Sequence, residues 1–80
     1  MEKKYKLTEN TKIVNGRRLY EIEALRSFGN VCKGDKGGFI EAEKNLSHEG
    51  DCWVYQNACV FDEATVTDNA VVCDNAQVFG

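Results

Sequence analysis

The one histidine of the chain, His48, lies in the stretch "SHEGD" (residues 47–51), close to Glu49 and Asp51. A carboxylate beside an imidazole can orient the ring and raise its pKa, the pairing that general acid–base chemistry uses. The same stretch equally suits a solvated corner, and no further residue set completes a reaction. Arg17 and Arg18 follow directly on Asn15-Gly16. Two guanidinium groups at a turn could hold an anion or a nucleotide phosphate, with an aromatic such as Trp53 alongside, or could simply be solvated. Glu41, Glu43 and Glu49 form an acidic edge, but their spacing matches no metal loop. "KGDKGG" (33–38) lacks the spacing and the final Ser/Thr of a phosphate-binding loop and reads as a turn. The four cysteines, Cys32, Cys52, Cys59 and Cys73, include no C-x-x-C pair. They read as reduced thiols that serve mostly as small apolar residues. Neither a metal nor a cofactor is expected.

The elements that must position these residues fall into two stretches. In "TKIVNGRRLYEIEAL", Asn15-Gly16 separates two runs of strand character. Asn-Gly accepts the positive φ angles of a two-residue type I′ turn, so a β-hairpin is expected here. Tyr20, Ile22 and Ala24 alternate with Glu21 and Glu23 as in a half-buried strand. "KYKLTEN" suggests another short strand, and "ALRSF" a helical turn.

The carboxy-terminal stretch is periodic. Ala58, Ala64, Ala70 and Ala76 are six apart, as are Val60, Val66, Val72 and Val78, and Cys52 and Val54 continue both series one step earlier. A helix would scatter positions six apart over different faces. A unit of small-x-aliphatic followed by a corner suits a short strand with both side chains turned inward. The corners fall at "QN", "DE", "DN" and "DN", residue types that tolerate tight bends. Three such sides make a coil of about 18 residues, and coils stack at the strand spacing of about 4.8 Å. Gly38, Ile40 and Leu46 carry the pattern back, and the step of eight from Leu46 to Val54 places a two-residue insertion in "SHEGD".

The fold expected is therefore all-β: a short parallel β-helix of about two coils over residues 37–80, capped by an amino-terminal hairpin within residues 1–36. At 80 residues it is expected to be one domain. The net charge of −3 and a pI of about 5.0 argue against a nucleic-acid surface. No apolar run approaches the ~20 residues of a membrane span, and no secretory signal follows the first residues, so a cytoplasmic location is expected.

The units "VFDEAT", "VTDNAV" and "VCDNAQ" resemble those of the hexapeptide-repeat, left-handed parallel β-helix proteins. Tyr55, Phe61, Thr67, Cys73 and Phe79 stand where that superfamily often has glycine after the aliphatic residue. With "GDKGGFIEAEKNLSHEGDCWVYQNA", this variant is similar to a group of prophage-associated bacterial proteins labelled as transferases and rich in "NARVYG"-type repeats. The resemblance implies a left-handed coil and a phage or prophage context. The function it leads us to expect is a non-enzymatic interaction protein that binds and inhibits a host protein or serves in assembly. Two alternatives stand beside it. One is a reduced acyltransferase with His48 as general base, the role histidine plays in enzymes of this superfamily. The other is a nucleotide or small-ligand binder at a subunit interface, using Arg17 and Arg18.

Stacking at eighteen sets Trp53 beside Val71, Tyr55 beside Cys73 and Phe61 beside Phe79, all facing outward. Such an apolar outer face marks an interface, or else lies under the hairpin. The last rung also exposes an edge of unpaired backbone groups. It calls for a second subunit, or for further repeats if the chain is part of a longer protein. Trp53, Tyr55, Phe61, Val71 and Phe79 are accordingly the expected interface of a dimer or trimer.

Overall fold

The structure, a computed structural model, describes residues 3–80. Its strands are β1 (Tyr5–Val14), β2 (Arg17–Ala24), β3 (Lys36–Ile40), β4 (Trp53–Val54), β5 (Cys59–Val60), β6 (Val71–Val72) and β7 (Gln77–Val78). The one helical element among the described residues is a 3-10 turn, Glu43–Asn45. The protein is all-β, with a mixed sheet ordered β1-β2-β3-β5-β7 and a smaller β4-β6 sheet.

β1 and β2 form the expected hairpin, with Val14 opposite Arg17. Asn15 and Gly16 take φ values of 52° and 77°, which the Asn-Gly pair adopts at low cost. "KYKLTEN" is not a separate strand: it runs into "TKIV" as one ten-residue β1, and its register shifts between Leu7 and Thr11. "ALRSF" forms no helical turn. Instead Phe28 and Val31 exchange backbone hydrogen bonds of 2.9 and 2.7 Å around Gly29, which lets the Phe28 ring meet Trp53 edge-on at 5.3 Å.

β3 pairs antiparallel with β2 on one side and parallel with β5 on the other, so it joins the hairpin to the repeats. In the parallel part the chain returns to the same ladder at fixed intervals. Phe39 pairs with Cys59 and Leu46 bridges Val66, each twenty residues on. Trp53 pairs with Val71 and Cys59 with Gln77, each eighteen residues on. The two extra residues therefore lie between Leu46 and Trp53, where the "SHEGD" stretch was expected to hold them. The corners bend through left-handed φ angles at Asn57, Asp62, Asp68, Asp74 and Asn75. Asn and Asp tolerate these better than other side chains because their short polar groups bond the local backbone.

Ile40, Leu46, Val54, Ala58, Val60, Val66 and Val72 share one core with Tyr5, Ile22, Ala24 and Trp53. At Gly38 the small position admits no side chain at all, since a Cβ there would collide with the carbonyl oxygens of Ala58 and Tyr55. A second cluster forms where Leu19 of β2 packs on Cys59 and Phe61, flanked by Val14 and Phe39. The hairpin thus covers much of the outer aromatic face. Trp53 is 1% exposed and Phe61 2%, which corrects the expectation that they belong to a free surface.

Candidate functional site

The 43–52 corner meets the start of β1, and the residues that could do chemistry are here bound to one another. The Nδ1 atom of His48 accepts the backbone N–H of Lys4 at 3.0 Å, and Nε2 lies 2.9 Å from Oε1 of Glu43. A backbone amide can only donate, so the Nδ1 lone pair is committed and the neutral ring carries its proton on Nε2, directed at Glu43. The ring also stacks on Tyr5 at a centroid distance of 4.2 Å and an angle of 11°. The carboxylate beside His48 is therefore Glu43, not the expected Glu49 or Asp51. Neither ring nitrogen is free to take a substrate proton without breaking a bond that holds the fold.

The surrounding groups are fixed as firmly. The Tyr5 hydroxyl donates toward the carbonyl oxygens of Leu46 (2.6 Å) and Glu43 (3.1 Å). Burial first, and the Glu43 charge second, push this phenol well above its ordinary range. Hydrogen bonds from His48 and then Lys3 hold the Glu43 carboxyl below its ordinary range. Lys4 is fully buried. Its Nζ donates to the Cys52 carbonyl (2.7 Å) and the Gly50 carbonyl (3.3 Å), lies 3.4 Å from the Cys52 Sγ, and sits over the Phe28 ring at 4.6 Å. A buried ammonium is costly unless its protons are bonded, and this cradle bonds them.

The arginines divide. Arg17 reaches across from the hairpin to Glu41 Oε2 at 2.9 Å and Asp62 Oδ1 at 3.3 Å. Glu41 in turn accepts the Asp62 backbone N–H at 2.8 Å, the largest of the influences that hold its carboxyl low. Arg17 is thus a strut between the hairpin and the Asp62 corner. Arg18 is exposed. Neither approaches Trp53, which lies against Tyr5 and Phe28.

The thiols are all free: Cys52 and Cys59 are buried, Cys32 and Cys73 exposed. Cys73 helps line an open groove of about 500 Å³ with Asp35, Lys36, Tyr55, Gln56 and Asp74. Its sulfur lies 3.5 Å from Asp74 Oδ2, and that hydrogen bond raises the thiol pKa, which makes it a weaker nucleophile at neutral pH.

At the opposite end of the ladders, Val71 is 54% exposed, Val78 37% and Phe79 58%. Phe79 stacks on Phe61 at 5.1 Å and 13°. β6 ends its sheet beyond β4, and β7 ends its sheet beyond β5. Of the five expected interface residues, the fold leaves Val71 and Phe79 open, Tyr55 half-buried, and Trp53 and Phe61 covered.

Sequence reasoning passed over Lys4, Glu43 and Asn45 as partners. Asn45 is buried, accepts the Ala42 N–H at 2.9 Å and donates to the carbonyls of Asp62 (3.2 Å) and Ala64 (2.8 Å). A polar residue one place before the aliphatic Leu46 was its only signal. Lys4 carried none, because an alternating Lys-x-Lys run reads as an outer face.

No family model matches the chain. Among curated proteins it is similar to an uncharacterized acetyltransferase, YdcK, of Escherichia coli (strain K12), at 35% identity over 68 residues. The match covers 74% of this chain and 21% of that protein, so the chain spans about a fifth of the relative's length. No helix among the described residues is long and apolar enough to cross a membrane.

Proposed function

We propose that residues 37–80 form a left-handed parallel β-helix sealed at one end by the hairpin of residues 1–36, and that the chain is a non-enzymatic interaction module. Its partner surface is the far rung, and the occupant is a second copy of the chain. The observation that carries this reading is the exposed apolar strip of Val71, Val78 and Phe79 beside β6 and β7. The same strip of a second copy laid on it would bury both. Sedimentation should show a dimer at micromolar concentration, and Val71→Lys with Phe79→Lys should return it to monomer. A compact monomer at every accessible concentration would defeat self-association. The inhibitor role implied by the prophage resemblance would then have to be sought as capture of a host protein on the same rung.

A second reading is favoured by the likeness to an acetyltransferase: an acyltransferase-like protein. His48 does not support it, because both ring nitrogens are committed to Lys4 and Glu43. Calorimetry with acetyl-coenzyme A should give no binding. Binding together with acyl transfer that His48→Ala abolishes would reverse the order of the two readings.

A further inference from the structure

Among the described residues, Cys52 is the one thiol with an amine in contact. Its Sγ lies 3.4 Å from Lys4 Nζ, and both side chains are 0% exposed. The thiol has two further neighbours, the carbonyl oxygens of Ser47 at 3.5 Å and Glu49 at 3.6 Å. The amine is held from the other side by the Gly50 and Cys52 carbonyls and by the Phe28 ring. A nitrogen nucleophile is thus fixed beside a sulfur that can become an electrophile, forty-eight residues apart in sequence.

We propose that this pair is an oxidative cross-linking site, in which a peroxide converts Cys52 to a sulfenic acid and the Lys4 amine captures it as a sulfenamide. In the first step the thiol sulfur attacks hydrogen peroxide. The O–O bond breaks, one oxygen stays on sulfur as Cys–S–OH, and the other leaves as water. In the second step the Lys4 amine, whose ammonium has released a proton to solvent while the site is open, returns on reclosing and its lone pair attacks Sγ. An N–S bond forms, the S–O bond breaks, and the hydroxyl leaves as water with a second proton from nitrogen. Sulfur is oxidised by two electrons, and the peroxide is reduced to two waters. Sulfenic acids are known to condense with amide nitrogen in this manner, and an amine is the stronger nucleophile.

Burial sets the order of events. The contact between Lys4 and the 47–52 corner must open locally for peroxide to reach the sulfur, and local openings cost less than global unfolding. Reclosing returns the amine to the modified sulfur, so the closed fold performs the second step. The product ties the start of β1 to the 47–52 corner by a covalent bond and locks the hairpin onto the repeats. This proposal does not depend on the interaction reading above.

The test uses the full chain carrying Cys32→Ser, Cys59→Ala and Cys73→Ser, so that no internal disulfide can form. After hydrogen peroxide treatment the monomer mass should fall by about 2 Da, reversibly with dithiothreitol. Peptide mapping should show Lys4 joined to Cys52 and no longer cut by trypsin. The same chain treated in denaturant, and a folded Lys4→Met version, should acquire oxygen on Cys52 without the link. The proposal is overturned if folded Cys52 stays unmodified or gains oxygen alone. It is equally overturned if the mass loss persists with Lys4→Met.

Discussion

The two ends of the parallel ladders are built from the same residue pattern and meet opposite surroundings. Val60 and Val78 are partners in one ladder, yet the first is 0% exposed and the second 37%. Phe61 and Phe79 stack on each other at 2% and 58% exposure, and Trp53 and Val71 pair at 1% and 54%. At the near end, β2 and β3 supply Leu19, Ile22 and Phe39 as cover. The edges differ as well. β1 closes the large sheet on the hairpin side with exposed Lys6 and Glu9 and a register shift, devices that discourage a further strand. β7, on the other side, is only the exposed pair Gln77 and Val78 and carries no charged residue of its own. In a stacked ladder, burial belongs to the neighbour on each side and not to the residue type.

The sharpest way to break this comparison is to place one charge at both ends of a single ladder. Val60→Asp should unfold the chain, because an unpaired carboxylate in the core costs about 3–5 kcal/mol, a large part of a small domain's stability. Val78→Asp should cost less than about 1 kcal/mol in urea titration. Equal losses would mean that the far rung is as closed as the near one.

A smaller effect should follow from Tyr5→Phe, which leaves the Leu46 and Glu43 carbonyls without their donor. The expected loss is about 1–2 kcal/mol by denaturant midpoint. It should depend on pH. The folded-state pKa of Tyr5 is raised above the ordinary 10.0. Its contribution is therefore complete below pH 10.0 and declines as the pH rises past that value toward the folded one. Comparing the chain with Tyr5→Phe across pH 9–12 (roughly the phenol range) isolates this from other titrating groups. A constant difference between the two would mean that the hydroxyl is not held as described.

The acid side should show less. Glu43 is held below its ordinary 4.5, so its contribution is present above that pH and is lost as the pH falls through the lower folded value. The side chain is 41% exposed, and solvent screening should keep the loss below about 1 kcal/mol. His48→Ala should shrink it further, since His48 is the largest cause of the shift. Thermal melts between pH 3 and 6 (roughly spanning carboxylate titration) measure it, and an unchanged profile in His48→Ala would show that the pair does not act at this corner.

A comparably small effect on stability is expected at the far rung itself. Phe79→Lys gives up only its stack on Phe61, about 1 kcal/mol, yet should shift the sedimentation of the chain toward monomer. A stability loss like that of Val60→Asp would place Phe79 in the core and remove the contrast on which the interaction reading rests.

Local and periodic signals were legible without coordinates. Asn15-Gly16 demands a turn in which both φ angles are positive, and both are. The six-residue spacing picks out Ala58, Val60, Val66 and Val72, which the fold buries, although Ala70 and Val78 in the same series are exposed. The change of ladder offset from twenty to eighteen falls where the step from Leu46 to Val54 requires it. What surrounds each outward residue was not legible, because it is decided by segments distant in the chain. The hairpin packs Leu19 on Phe61 and Phe28 on Trp53, and so turns two expected interface aromatics into core. The same docking carries Lys4 into the carbonyls of Gly50 and Cys52 and gives His48 its partners at Lys4 and Glu43. A ladder repeats in sequence, whereas a cap meets it only once, so the pattern along the chain predicts the ladder and only the folded molecule decides which of its side chains the cap covers.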